Sequence, residues 1–135
     1  MRIFVDTSAL YALLDQAEAN HEAAQLLWRS FANEENDLIV SNYTLLETAA
    51  LVQRRLGMRA VNEFHGEIAP VLEVEWVTEE LHQASVAALL TANRRDLSLV
   101  DCVSFAACRR AGVDRVFAFD EHFAEQGFTL LRAQP

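Results

Sequence analysis

Short apolar runs alternate with helical segments along nearly the whole chain, and this alternation constrains the fold more than any other feature. Arg2 to Val5, Asp37 to Val40, Val71 to Val77, Arg115 to Phe119 and Phe128 to Leu131 are the strand candidates. In the third, Val71, Glu73, Glu75 and Val77 alternate against Leu72, Val74 and Trp76, leaving one face more polar. Between the strands lie stretches of helical character. In Glu18 to Asn33, for example, Ala23, Ala24, Leu27, Trp28 and Phe31 recur at three- and four-residue spacing, the mark of an amphipathic helix. Strands that alternate with helices pair in parallel and bury both faces. The expected fold is therefore α/β: a three-layer α/β/α sandwich around a mainly parallel central sheet, with residues 1–135 forming one domain.

The other helices follow from their end signals. Thr7-Ser8 offers an N-cap for a helix through Asp15. A segment from Thr44 to Leu56 stops at Gly57, and one from Leu99 to Ala111 stops at Gly112, glycine being the favoured residue just past a helix end. Thr78 caps a helix through Asn93, with Glu79 and Glu80 in its first turn. A further segment covers Arg59 to Ile68, before Pro70, and a short one follows Asp120.

Charge and composition narrow the function classes. The net charge is −9 and all 11 basic residues are arginine, a poor balance for general nucleic-acid binding, which depends on neutralising phosphates. Any phosphate ligand must meet locally clustered arginine or a bound cation. No apolar run reaches the roughly 20 residues of a membrane-spanning helix. The first 14 residues carry Asp6 and no small-residue cleavage site, so no membrane association is expected and the expected location is cytoplasmic. Cys102 and Cys108 fall in one helix, about 9 Å apart along its axis, too far to bridge. They read as buried, reduced thiols.

Four acids occupy positions where such a fold builds a site. Asp6 and Asp120 each directly follow an apolar strand, and ligands of open α/β sheets bind beyond the carboxyl ends of the strands. Glu47 and Asp101 read as residues of a first helical turn. Taken singly, each has a structural explanation. Thr44-Leu45-Leu46-Glu47 fits a capping box, Ser98-Leu99-Val100-Asp101 is a close variant of one, and Asp6 and Asp120 are competent N-caps.

Taken together, four carboxylates at one rim would repel by roughly 4 kcal/mol per pair at 4 Å and an effective dielectric near 20. A hard divalent cation offsets that repulsion, and carboxylate plus water suits Mg2+ or Mn2+. The histidines at 21, 65, 82 and 122 form no zinc pattern. A cation so held activates water and neutralises charge on a phosphate, which suits phosphodiester hydrolysis. Arg54, Arg55 and Arg59, and Arg94 and Arg95, are candidates to guide an RNA backbone, or else an ordinary solvated face.

These residues resemble the PIN-domain nucleases, and within them the VapC-type toxins. The opening Ile3-Phe4-Val5-Asp6-Thr7-Ser8-Ala9-Leu10, Glu47 in Tyr43-Thr44-Leu45-Leu46-Glu47, Leu97-Ser98-Leu99-Val100-Asp101-Cys102 and Phe117-Ala118-Phe119-Asp120-Glu121-His122-Phe123 are similar to that family's successive motifs. The resemblance implies an endoribonuclease with Asp6, Glu47, Asp101 and Asp120 as catalytic and metal-binding residues. Asp6 and Asp101 would be the principal ligands of Mg2+ (or Mn2+), and Glu47 and Asp120 would complete the shell or orient water. Thr7 or Ser8 would steady Asp6. It also implies an RNA substrate, a homodimer and a small antitoxin protein as partner. Asp96 is read as a loop residue rather than a further ligand.

Two other acidic Mg2+ folds are set aside. A receiver domain needs a lysine that this chain lacks, and haloacid-dehalogenase phosphotransferases need Asp-x-Asp where Asp6 is followed by Thr7-Ser8. The remaining alternative is a non-catalytic PIN-like module that binds RNA or protein, since fold alone does not fix activity.

Overall fold

The computed structural model describes residues 1–133. Strands β1 (Arg2–Val5), β2 (Asp37–Ser41), β3 (Glu73–Glu75), β4 (Arg115–Phe117) and β5 (Thr129–Leu130) form one sheet in the order β3-β2-β1-β4-β5. Every pairing is parallel. The helices are α1 (Thr7–Leu14), α2 (His21–Ala32), α3 (Asn42–Leu56), α4 (Met58–Glu63), α5 (Glu79–Ala92), α6 (Leu99–Ala111) and α7 (His122–Glu125).

Side chains alternate across a strand, and here the alternation divides the interior in two. Ile3 and Val5 of β1 and Leu38 and Val40 of β2 join α1 and α2 through Ala9, Leu10, Ala24, Leu27 and Phe31. Phe4 and Ile39, their neighbours in sequence, pack on the opposite face against Cys102, Phe105 and Cys108 of α6. The result is three layers, α/β/α, as expected for a parallel sheet buried on both sides. Among the described residues, no helix is long and apolar enough to cross a membrane.

The chain order positions the site. From β1 the chain passes through β2 to β3, then returns across the sheet to β4 on the other side of β1. The winding direction thus reverses between β1 and β4, and at such a switch point the connections diverge and leave a crevice beyond the strand ends. Asp6 leaves β1 there, and its backbone N–H donates to the Phe117 carbonyl at 3.0 Å.

Several boundaries differ from expectation. The third strand spans only Glu73–Glu75, because Ala69–Val71 forms a 3-10 turn that carries Pro70. The helix expected to start at Glu18 starts at His21, after a turn in which the Glu18 N–H donates to Asp15. The Arg59 to Ile68 segment divides into α4 and a π-helical turn, Phe64–Ile68. Helix α1 is capped by Asp6 rather than by Thr7-Ser8, and α3 by Ser41, three residues before Thr44. Both caps are the last polar residue before the chain turns, where an oxygen reaches the free N–H groups of the first helical turn. The Leu99–Ala111 helix closes as expected at Gly112, in the left-handed conformation (φ 69°) that favours glycine. Cys102 and Cys108 are buried free thiols, and burial pushes the Cys108 thiol up to about 12.

Phe4 lies on the central strand and is 1% exposed. Phe4→Ala is expected to cost about 3–5 kcal/mol through lost burial and an unfilled cavity. Urea unfolding measures this as a lowered midpoint at unchanged slope, and a loss below about 1 kcal/mol would contradict the two-core packing.

Candidate metal centre

Asp6, only 5% exposed, is held by Ser8. Its Oδ2 accepts from the Ser8 backbone N–H at 3.1 Å and from the Ser8 hydroxyl at 2.6 Å. The same hydroxyl accepts from the Phe119 N–H at 2.9 Å. One serine thus joins the start of α1 to the segment that leaves β4 for Asp120. Thr7 turns elsewhere and accepts a bond from the Thr48 hydroxyl of α3 at 3.2 Å. Of the two residues that the resemblance offered to steady Asp6, the geometry selects Ser8; Thr7 fastens α3.

Asp101 occupies the third position of α6, where it forms the expected capping box. The Asp101 N–H donates to Ser98 Oγ at 3.0 Å, and the Ser98 N–H donates to Asp101 Oδ2 at 3.1 Å. Asp120 Oδ1 accepts from the His122 N–H at 2.9 Å. Asp6 thus caps α1 and Asp101 completes the capping box of α6, whereas Glu121 holds the N-cap position of α7 and Asp120, one residue earlier, accepts from the N–H two residues on; the charges of Asp101 and Asp120 both reach Asp6. A carboxylate that satisfies N–H groups at a helix start is both aimed and stabilised as an anion, so the structural role prepares the chemical one.

Glu47 is placed differently. Helix α3 starts at Asn42, so Glu47 stands in its second turn rather than its first, and the capping box expected with Thr44 is absent because Ser41 caps the helix. Glu47 is half-buried and, like Asp6, lies outside the tight group of Asp101, Asp120 and His122, although Asp6 is near enough to feel the charge of both aspartates. Its backbone neighbour Thr48 is the residue bonded to Thr7.

His122 enters the group instead. One ligand atom each from Asp101, Asp120 and His122 lie within 4.8 Å of one another. His122 Nδ1 is 3.1 Å from Asp120 Oδ1 and 3.4 Å from Asp101 Oδ2. It is nevertheless buried without a hydrogen bond, since these contacts are close in distance but poorly aimed. Its other nitrogen, Nε2, lies 3.3 Å from Asp96 Oδ2. Burial on its own would lower the His122 pKa, but Asp120, Asp96, Asp101 and Glu125 outweigh it and raise it. A search for zinc-type histidine spacings could not find this residue. The usable signal was Asp120-x-His122 at a strand exit.

Asp96 lies on the loop before α6, as expected, and it is bound to the site through His122. Arg94 grips it at 2.8 and 3.2 Å and also donates to Glu125 of α7 at 2.9 Å. Together with His122, this guanidinium holds the Asp96 carboxyl down to about 2. Arg94 is thus committed to the loop and is not a free guide for a phosphate backbone. Arg55 lies over the Tyr11 ring at 5.4 Å, whereas Arg54, Arg59 and Arg95 are exposed.

The residues fit a divalent cation. Two carboxylates and an imidazole converge at ligand spacing, a buried nitrogen has no hydrogen-bond partner, and a third acid adds negative charge beside them. Burial pushes the Asp6 pKa up to about 6; the Ser8 hydrogen bonds oppose that rise, and Asp101 and Asp120 add to it. An acid with a raised folded-state pKa favours folding while protonated, and this contribution is lost as pH rises from about 4 through about 6. The shift corresponds to about 3 kcal/mol.

Without metal, Asp6→Asn is therefore expected to be more stable than the wild type at pH 7.5 and nearly equal to it at pH 4. Asparagine keeps the cap and discards the buried charge. Thermal midpoints in chelator measure this, and a variant less stable at both pH values would remove the charge-burial account.

Comparison with known proteins agrees with this geometry. A family model described as PIN domain matches residues 3–128. The 23S rRNA-specific endonuclease VapC20 of Mycobacterium tuberculosis is 37% identical over 133 residues, covering 98% of this chain and 99% of the relative. The crystal structure of Mycobacterium tuberculosis VapC20, described as a Sarcin-Ricin loop cleaving toxin, has a TM-score of 0.86 at 36% identity, covering 96% of this chain and 98% of that one. VapBC2 from Rickettsia felis, solved with a DNA fragment from its promoter, shares the fold at a TM-score of 0.71 and 10% identity, over 97% and 98% of the two chains. With its sheet order, its rim of aspartates and a family match over almost all of its length, the chain belongs to the PIN-domain family, and within it to the VapC type.

Proposed function

We propose that this chain is a Mg2+- or Mn2+-dependent endoribonuclease that hydrolyses RNA phosphodiester bonds, and that it acts as the toxin of a toxin–antitoxin pair. The observation that carries this reading is the convergence of Asp6, Asp101 and Asp120 from three separate segments on the β1/β4 switch point. Full-length similarity to an endonuclease named for 23S rRNA supports ribosomal RNA as the substrate class.

In this proposal Asp101 and Asp120 hold the ion, and Asp6 contributes charge and a free carboxylate oxygen from the floor of the crevice. Glu47, on the helix that Thr48 fastens to Thr7, orients water from outside the tight group. An ion held by these residues would supply a water of lowered pKa and positive charge to offset that building on the phosphate. It also resolves the charge problem, because a cation in the rim makes the site locally attractive to phosphate although the chain carries −9. Of the five arginines considered for this role, Arg54, Arg59 and Arg95 are left to steer the backbone.

The partners proposed are a small antitoxin that covers the site and a second copy of this chain, in the cytoplasm. Structural neighbours that include VapBC assemblies support the antitoxin.

Asp101→Asn is expected to preserve the Ser98 capping box, since an amide oxygen still accepts, while lowering metal-dependent cleavage by about 100-fold or more. Primer extension on 23S rRNA from ribosomes incubated with purified protein reads the cleavage, and circular dichroism checks the fold. Cleavage that is equal in the variant, or unaffected by chelator, would assign the activity to another protein.

A further inference from the structure

His122 has two ring nitrogens in unlike surroundings, and the difference assigns it a role. Nε2 faces Asp96, whose carboxylate is already fixed by the Arg94 guanidinium. Ionised carboxylates, which only accept, face both nitrogens, but of these contacts only the one at Nε2 has hydrogen-bond geometry, which puts the ring hydrogen of the neutral imidazole on Nε2. That leaves a lone pair on Nδ1. This lone pair is buried between Asp120 Oδ1 and Asp101 Oδ2, at 3.1 and 3.4 Å, and none of the described residues donates to it. Three ligand atoms within 4.8 Å of one another describe a cation seat.

The spacing agrees. Two ligands at right angles around an ion with bonds of about 2.1 Å stand about 3.0 Å apart, close to both observed separations. The ring is also held in place. Phe123, the next residue, is fully buried, and Arg94 ties the loop carrying Asp96 to Glu125, on the same short helix as His122.

Building on the metal reading above, we propose that His122 Nδ1 is itself a ligand of the divalent ion, oriented by Asp96, and that this nitrogen biases the site toward Mn2+ over Mg2+. Mg2+ favours an all-oxygen shell and dehydrates reluctantly, whereas imidazole suits transition metals. A metal-bound imidazole commonly donates its other N–H to a carboxylate, the position that Asp96 occupies.

Pulsed electron paramagnetic resonance of the purified full-length protein loaded with Mn2+ tests the assignment, because a directly bound imidazole imprints nitrogen-14 modulation on the manganese signal. Wild type is expected to show the modulation and His122→Gln to lack it. By titration calorimetry, His122→Gln is expected to lose Mn2+ affinity by at least about tenfold while Mg2+ affinity changes less. Asp96→Asn is expected to keep the nitrogen signal with altered coupling and weaker Mn2+ binding.

Mn2+ binding that requires Asp101 but carries no nitrogen signal overturns the histidine assignment and leaves the carboxylate site standing. So does a nitrogen signal that persists in His122→Gln, which would place another histidine on the ion. Absence of any Asp101-dependent Mn2+ uptake by the wild type overturns the metal reading itself, and the histidine assignment with it.

Discussion

Crowded negative charge at the exit of the central strands is the constraint around which the rest of this molecule is arranged. Asp6 is nearly inaccessible to water, and burial together with the fields of Asp101 and Asp120 makes its ionised form unfavourable. A fold that only needed a helix cap there would do as well with serine or threonine. The buried carboxylate is tolerated because the local backbone and Ser8 donate hydrogen bonds to it, and because a cation can be held in common by the neighbouring acids. The same crowding that weakens the metal-free state would favour an ion held between the acids.

The device that aims the acids is helix initiation. Asp6 opens α1, Asp101 sits in the capping box of α6, and Asp120 accepts the His122 N–H at the start of α7. Each helix start presents free N–H groups, so each acid is fixed by a local interaction that forms whether or not metal is present. Long-range bonds then bring the starts together. The Ser8 hydroxyl reaches Phe119, and Thr48 reaches Thr7. A site assembled this way is largely preorganised, which reduces the rearrangement that catalysis would require.

Charge is partitioned in a matching way. An acidic protein repels nucleic acid at long range, so the cation and a few exposed arginines would have to supply the attraction at short range. Arg94 and Arg55 serve internal roles, one clamping Asp96 to Glu125 and the other lying over Tyr11. This leaves fewer arginines for substrate than composition suggests. On the proposed reading, recognition would depend on the shape of the rim and on a bound ion more than on a broad basic surface.

Periodicity and end signals in the sequence were enough for the alternating elements, the parallel sheet and the caps at Thr78 and Ser98, because these depend on neighbours within a few residues. The same local information located Asp6, Asp101 and Asp120 at element ends. It misplaced the caps of α1 and α3 and lengthened β3, since those boundaries depend on which oxygen reaches which N–H once the chain has turned, and on the 3-10 turn through Pro70. Only the tertiary structure separated Glu47 from the tight group, committed Arg94 to Asp96, and turned His122 toward two aspartates. Those outcomes depend on distances between segments that are remote in sequence, and no local pattern encodes such distances. The return of the chain across the sheet between β3 and β4 creates them, by opening a crevice beyond the ends of β1 and β4.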